Sequence, residues 1–294
     1  MKPKIQPIQS ARLRELRLKI ASAKGMFVMA VRNSFVKAMV TEPGGPVVSL
    51  TSYGPRLNFV FLAIESIARG SALPSRLILW VDEPACLANP PRTLRRLVGR
   101  GLEILPTENY GPHKKYYPFA ASLSRHVSAL VTADDDTIYP RGWLRELVEY
   151  SASNPDDIVC HRSHRMTFRA DGSLAPYSNW PPAEANTRSV KNFPTGMGGV
   201  LYPATFVDAL RDAGTAFVDV APHADDVWLH ANAVRNNRTV RQIGRRPDES
   251  FVAIRGSGSG SLMDLNVSGG RNDIQIRDTY NDAEIALIRE SKIS

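Results

Sequence analysis

The stretch Val127-Ser128-Ala129-Leu130-Val131-Thr132-Ala133-Asp134-Asp135-Asp136-Thr137-Ile138-Tyr139-Pro140 decides how this chain is read. Residues 127–132 are apolar, small or β-branched, the pattern of a buried strand, and the strand runs directly into three consecutive carboxylates. Adjacent acids repel one another unless a cation or a basic partner neutralises them. In open α/β sheets ligands bind beyond the carboxyl ends of the strands, so these acids fall where chemistry is expected. A hard divalent cation, magnesium or manganese, takes carboxylate, phosphate and water oxygens and suits both the triplet and a diphosphate. The competing use of the same residues is an acidic turn capping the helix that opens at Pro140.

Working outward, Pro46–Thr51 is a short β-branched run that predicts a buried strand. Leu57, Val60, Phe61, Ile64, Ile67 and Ala68 then recur at helical spacing and predict an amphipathic helix over 57–69. A strand over 76–81, a helix over 91–99, a strand over 102–105 and a helix from about Lys115 to Ser124 lead up to the acidic stretch. Beyond it Pro140 opens a helix whose buried stripe is Trp143, Leu144, Leu147 and Val148. This alternation predicts an α/β fold, a mostly parallel sheet flanked by helices. Past Asp156 the alternation fades. Residues 161–200, rich in Pro, Asn, Ser and Gly, read as loops shaping a second subsite, with helices near 203–213 and 225–236. The Gly/Ser-rich stretch 245–270 reads as a lid or tail.

Hydrophobic residues make up 43% and charged residues 22% of the 294, ordinary usage for a folded soluble chain. The formal charge is +8, and residues 1–46 hold nine Lys or Arg against Glu15 and Glu42, so that segment alone carries +7. The rest is near neutral, which argues against a domain built to bind nucleic acid. Two cysteines without paired spacing indicate neither a disulfide framework nor a zinc site, and fit a reducing, cytoplasmic setting. The apolar run Gly25–Val31 is far below the roughly 20 residues of a spanning helix, and no secretory signal is evident. Ile20, Met26, Phe27, Val31, Phe35 and Met39 recur loosely at helical intervals between basic residues. The arm 1–45 therefore reads either as a helix lying on the inner face of an anionic plasma membrane or as a loosely packed leader. Glu42-Pro43-Gly44-Gly45-Pro46 ends it.

Asp225-Asp226 precedes the apolar Val227-Trp228-Leu229, so the pair supplies either a catalytic carboxylate or an N-cap with a first-turn acid. Lys114 and Lys115, at the opening of a helix, can face an anion together with the helix N-terminus, although one of two adjacent lysines is expected to be merely solvated. Gly196-Met197-Gly198-Gly199 would let backbone approach a sugar, or is a plain turn. It lacks the lysine and hydroxyl residue of a P-loop, which excludes a triphosphatase reading. Tyr177 and Trp180 stand either as sugar-stacking rings or as packing anchors.

Thr51-Ser52-Tyr53, Gly111-Pro112-His113-Lys114-Lys115-Tyr116-Tyr117 and Asp134-Asp135-Asp136-Thr137-Ile138-Tyr139-Pro140 together resemble bacterial glycosyltransferases related to family 2, of the surface-polysaccharide and lipopolysaccharide type. The likeness spans roughly 46–244, and Asn266–Tyr280 shares it. The resemblance implies a GT-A, Rossmann-like fold with a donor half at 46–160, a loop-rich acceptor half at 161–244 and a C-terminal lid or tail at 245–294. It also implies a nucleotide-diphosphate sugar donor, a Mn or Mg ion, and a glycan or glycolipid acceptor. By motif position Asp134 and Asp136 are the metal ligands, Asp136 foremost, with the role of Asp135 on the donor side open. Thr51, Ser52 and Tyr53 match the place where such enzymes meet the nucleotide, and Lys114 and Lys115 fall beside the diphosphate. Asp82 matches a base- or ribose-contacting acid, or is an exposed loop acid. Asp226 is the candidate base of an inverting transfer, with Asp225 beside it. Nucleotidyl transfer ranks lower, because Thr51-Ser52-Tyr53-Gly54-Pro55-Arg56 stands where a Gly-rich, basic signature belongs. A non-catalytic relative would be expected to have lost one of the two acidic motifs.

Overall fold

Short β-branched runs bounded by Pro, Gly and Asp build the centre of the molecule. The computed structural model describes residues 7–244, 251–254 and 270–294, with side chains from Leu13 onward. A long helix α1 (Pro7–Phe35) comes first, followed by β1 (Val47–Thr51), a 3-10 turn at Gly54–Asn58 and α2 (Val60–Ala68). Then come β2 (Arg76–Val81), α3 (Pro84–Ala88), α4 (Arg92–Val98) and β3 (Leu102–Pro106). A second 3-10 turn, Gly111–Lys115, leads to α5 (Tyr117–Ala121), β4 (Leu130–Thr132), β5 (Thr137–Ile138) and α6 (Trp143–Ser153).

The second half holds β6 (Ile158–Cys160), β7 (Ser163–Arg165), β8 (Arg188–Ser189), β9 (Asn192–Pro194) and β10 (Val200–Tyr202). It continues with α7 (Ala204–Asp212), α8 (Phe217–Val220), α9 (Asp225–Arg235), β11 (Val240–Gln242) and β12 (Val252–Ala253). Helices α10 (Arg271–Thr279) and α11 (Asp282–Glu290) close it.

Eight strands form one sheet in the order β3-β2-β1-β4-β10-β6-β11-β8. Strands β3, β2, β1 and β4 are parallel, β10 enters antiparallel between β4 and β6, and β11 returns parallel to β6. The predicted α/β architecture, a mostly parallel sheet flanked by helices, is the one observed. Alternate residues of each strand serve opposite cores: Val48, Leu50, Leu77 and Leu79 pack on one side, Val47, Ile78 and Trp80 on the other. Both faces being covered explains why these strands read as continuous apolar runs.

Several expectations change. The strand expected over 127–132 begins only at Leu130, and Val127 is 89% exposed. The helix expected over 115–124 shrinks to Tyr117–Ala121 behind its 3-10 turn, and the helix expected at Pro140 starts at Trp143. The region expected to be loops contributes β7, β8 and β9, and β6, β10 and β11 complete the sheet. Strands of two or three residues are too short for periodicity to register. Of the expected lid, residues 245–250 and 255–269 lie outside the described residues, whereas 252–253 pair with β5 and 271–290 form two helices.

Helix α2 is not amphipathic in place, because every residue from Val60 to Ala68 is buried and α1 lies across its outer side. Its one acid, Glu65, is fully buried and pairs with Arg100 and with Arg32 at 3.2 Å, while Asn33 donates to it at 3.1 Å. Removing one partner of a buried ion pair strands the other charge. Arg100→Ala is therefore expected to lower stability by about 3 kcal/mol, read as a shifted denaturation midpoint. A shift under about 0.5 kcal/mol, the range of ordinary surface changes, would show the pair to be unimportant. Helix α1 also reaches the acidic loop: a Cβ on Gly25 would lie 2.8 Å from Ile138 Cδ1, and Ser22 Oγ donates to the Ala253 carbonyl at 2.7 Å.

Candidate functional site

The carboxyl ends of β1, β2 and β4 open into a cleft of about 900 Å³ whose far wall is the N-terminus of α9. Seven carboxylates line it, Asp82, Glu83, Asp134, Asp135, Asp136, Asp225 and Asp226, against four cationic side chains, Arg56, Lys114, Lys115 and Arg162. The cleft is therefore net negative when all are ionised.

The acidic triplet splits into two environments. Asp135 is buried and turned into the protein, accepting hydrogen bonds from Ser52 Oγ at 2.6 Å and Arg56 Nε at 2.9 Å, with Arg56 Nη2 on its other oxygen. Arg56 Nη2 also reaches Asp136 at 3.0 Å. Burial opposes the charge of Arg56, but the hydrogen bonds and charges of Asp135 and Asp136 outweigh it and hold its pKa above the ordinary arginine value. Asp136 is 42% exposed toward the cleft, and burial together with the charges of Asp134 and Asp135 raises its pKa. Its backbone is braced by Ile254 N–H, which donates to the Asp136 carbonyl at 2.7 Å. Arg56 was not among the residues singled out in the sequence. The signal was present, since three adjacent acids require a basic partner and Arg56 stands five positions beyond the end of β1.

Lys115 ties the two acidic motifs together. Its ammonium lies 3.2 Å from Asp134 and 2.8 Å from Asp225, residues 91 positions apart. Burial disfavours the charged amine, yet Asp134, Asp225 and Asp226 raise its pKa well above the ordinary lysine value. Lys114 pairs with Asp82 at 2.6 Å, so Asp82 is a partnered cleft residue and not a free loop acid. The expectation that one lysine is merely solvated fails, because both are buried against carboxylates. They sit in a 3-10 turn ahead of a five-residue helix.

Asp225 and Asp226 open α9. Burial, then the neighbouring charge of Asp225, push the Asp226 carboxyl up to about 7, against the pull of Lys115. Asp226 accepts from Gly196 N–H at 3.3 Å. The Gly-rich turn thus approaches the acids closely: a Cβ on Gly196 would lie 2.8 Å from Lys115 Nζ and 3.1 Å from Asp134 Oδ1. Gly199, at φ 82, packs against Trp143, so only glycine fits there.

Other expected residues divide. Thr51, Tyr53 and Tyr177 line the cleft, and so does His223, which was not among the site residues singled out in the sequence. Ser52 is buried beneath the acidic loop with its hydroxyl committed to Asp135, so its side chain acts on the loop from behind. Trp180 is a packing anchor, buried and donating to the Ala175 carbonyl at 2.9 Å. His113 belongs to the core, stacked 4.0 Å from the Phe217 ring.

Among the described residues no group of three or more His, Cys, Asp or Glu side chains is gathered as a ready metal cage. The donors that face the cleft are mostly carboxylate oxygens, with His223 beside them, and carry excess negative charge, which suits a hard cation shared with a phosphorylated ligand.

An acid-lined cleft at the strand ends of a mostly parallel sheet sits here on a fold shared with glycosyltransferases. A mannosyltransferase from Pyrobaculum calidifontis, solved in complex with GDP-mannose and Mn2+, matches 93% of this chain and 78% of its own with TM-score 0.50 and 14% identity. TarS from S. aureus matches 70% of this chain and 58% of its own, with TM-score 0.45 and 15% identity. No protein-family model matches the sequence, and no curated protein does. The likeness is one of fold.

Proposed function

We propose that this protein transfers a sugar from a nucleotide-diphosphate sugar to a hydroxyl of a glycan or glycolipid acceptor, with inversion at the sugar carbon. The reading is carried by Lys115, which holds the acid that ends β4 and the acid that opens α9 on one cleft. Asp134 and Asp136 would hold a manganese or magnesium ion, which when bound supplies Lewis-acid stabilisation of the departing diphosphate. Arg56 and Ser52 fix Asp135 and so set the course of the loop that presents Asp134 and Asp136. Thr51, Tyr53 and the Asp82–Lys114 pair flank the nucleotide, and Tyr177 faces the sugar side. Asp226 takes the proton of the acceptor hydroxyl as its oxygen bonds to the anomeric carbon, while the bond from that carbon to the diphosphate breaks on the opposite face.

A ligand bound only by the folded state raises apparent stability, by about 2.7 kcal/mol at one hundred times its Kd. A panel of nucleoside diphosphates and their sugars with Mn2+ is thus expected to contain a member that raises Tm by several degrees, about 2–4 °C per kcal/mol. Chelation is expected to abolish both that shift and hydrolysis of the matching donor. Turnover that persists in chelator removes the metal role. Pyrophosphate release from a nucleoside triphosphate and a sugar phosphate would instead identify a nucleotidyltransferase.

A further inference from the structure

Helix α1 is apolar on two sides, and only one is used by the fold. Ser22, Met29 and Asn33 face inward and are buried. Leu13, Leu16, Ile20, Phe27, Val31 and Phe35 face outward, with Phe27 70% and Phe35 79% exposed. At about 100° per residue these six fall within a single arc of roughly 100°, which also holds Arg17 and Lys24. The stripe they form runs for about 33 Å along the helix. Among the described residues nothing covers it, and an exposed row of large apolar side chains of this length, broken by Lys24, marks an interaction surface.

Charge decides what the surface meets. Arg14, Arg17, Lys19 and Lys24 are exposed along the same helix, and the adjoining α4 exposes Arg92 and Arg95. The one acid on α1, Glu15, lies 2.7 Å from Lys19. A second copy of the chain docked on the stripe would set two strongly basic segments against each other, each +7 over residues 1–46. An anionic bilayer offers both an apolar interior for the large side chains and negative headgroups for the long cationic ones, Arg17 and Lys24 within the stripe and Arg14 and Lys19 beside it. Among the described residues no helix is long and apolar enough to cross a membrane, so the geometry is that of a helix lying in the interface.

We propose that the outer face of α1 docks the protein on an anionic lipid surface. The inward face of the same helix packs under the loop carrying Asp136, through Gly25 and Ile138, so docking holds the cleft at a fixed height above the bilayer. The proposal stands independently of the transferase reading and is tested without any donor. Full-length protein is sedimented with vesicles of phosphatidylcholine containing about one third phosphatidylglycerol, and with phosphatidylcholine alone. The expected result is recovery with the anionic vesicles only, weakening as salt shortens the Debye length. Phe27→Glu/Val31→Glu/Phe35→Glu is expected to reduce partition by at least about tenfold. These side chains are exposed, so Tm and any nucleotide-induced shift stay as in the parent. Equal sedimentation of the triple variant, or none by the parent, overturns the proposal. So does a parent that elutes as a dimer and a variant that elutes as a monomer, which would make the stripe a face for a second copy.

Discussion

Asp226→Asn is expected to lower turnover by about a thousandfold, within the range assigned to a positioned general base, while leaving donor affinity within about twofold of the parent, since a substitution of like shape removes an interaction needed only in the transition state. The amide is nearly isosteric, and its oxygen can still accept from Gly196 N–H as the carboxylate does at 3.3 Å. What it loses is the ability to take a proton. In the parent, burial and the charge of Asp225 set the Asp226 carboxyl at about 7, so the group is ionised above that pH and protonated below it. kcat/KM reports the free enzyme, and it should rise with pH through a half-maximal value near pH 7 to a plateau above it. Asp226→Asn should flatten that limb as well as lower it. A variant that binds the nucleotide sugar and transfers at the parental rate removes the base assignment.

Asp225 behaves differently although it is the adjacent residue. It is buried against Lys115 at 2.8 Å, so Asp225→Asn leaves a buried ammonium with Asp134 as its remaining partner. Loss of stability should accompany loss of activity there, whereas Asp226→Asn should lose activity alone. The pair thus separates a reacting carboxylate from one that holds the cleft together.

What could be read in the sequence follows from where each signal lies. The apolar runs at 47–51, 76–81 and 102–105 and the helical stripes between them are local patterns, so the first half of the sheet was legible, and with it the position of Asp134–Asp136 at a strand end. Strand β10 was not, because three residues inserted antiparallel between β4 and β6 gain their identity from neighbours some 40 to 70 positions away. Glu65 falls within the helix expected to be amphipathic over 57–69. It is buried because α1, read as an arm, covers that side and brings Arg32 and Asn33 to it. The acidic motifs were legible as residues, and so was the need for a basic partner that Arg56 fills, but their convergence through Lys115 is a long-range contact that no spacing encodes.

Acid is expected to unfold the protein through its core histidines. His113 Nε2 lies 2.7 Å from the Ala221 carbonyl and its Nδ1 3.0 Å from the Tyr116 hydroxyl, and His230 repeats the pattern with Val190 at 2.8 Å and Tyr280 at 2.6 Å. In each ring Nε2–H donates to a carbonyl and Nδ1 accepts from a tyrosine, which satisfies the neutral imidazole and leaves no acceptor for a second proton. His161 sits 3.2 Å from the Trp143 carbonyl. Burial lowers His113 to about 3 and His161 and His230 to about 4. Because the folded values lie below the unfolded value near 6.5, the unfolded chain binds more protons. The stabilisation is complete above pH 6.5 and is lost as pH falls toward 4. By pH 5 each histidine withdraws about 2 kcal/mol, or about 6 kcal/mol for the three. Asp226, whose folded pKa is raised, works in the opposite sense over the same window and partly offsets this in the parent. His230→Gln isolates one contribution, since the amide does not titrate. Its stability deficit relative to the parent should shrink by about 2 kcal/mol between pH 7.5 and pH 5, equivalent to a change of about 4–8 °C in the Tm difference. A deficit that stays constant across that range would mean that His230 titrates alike in the folded and unfolded states.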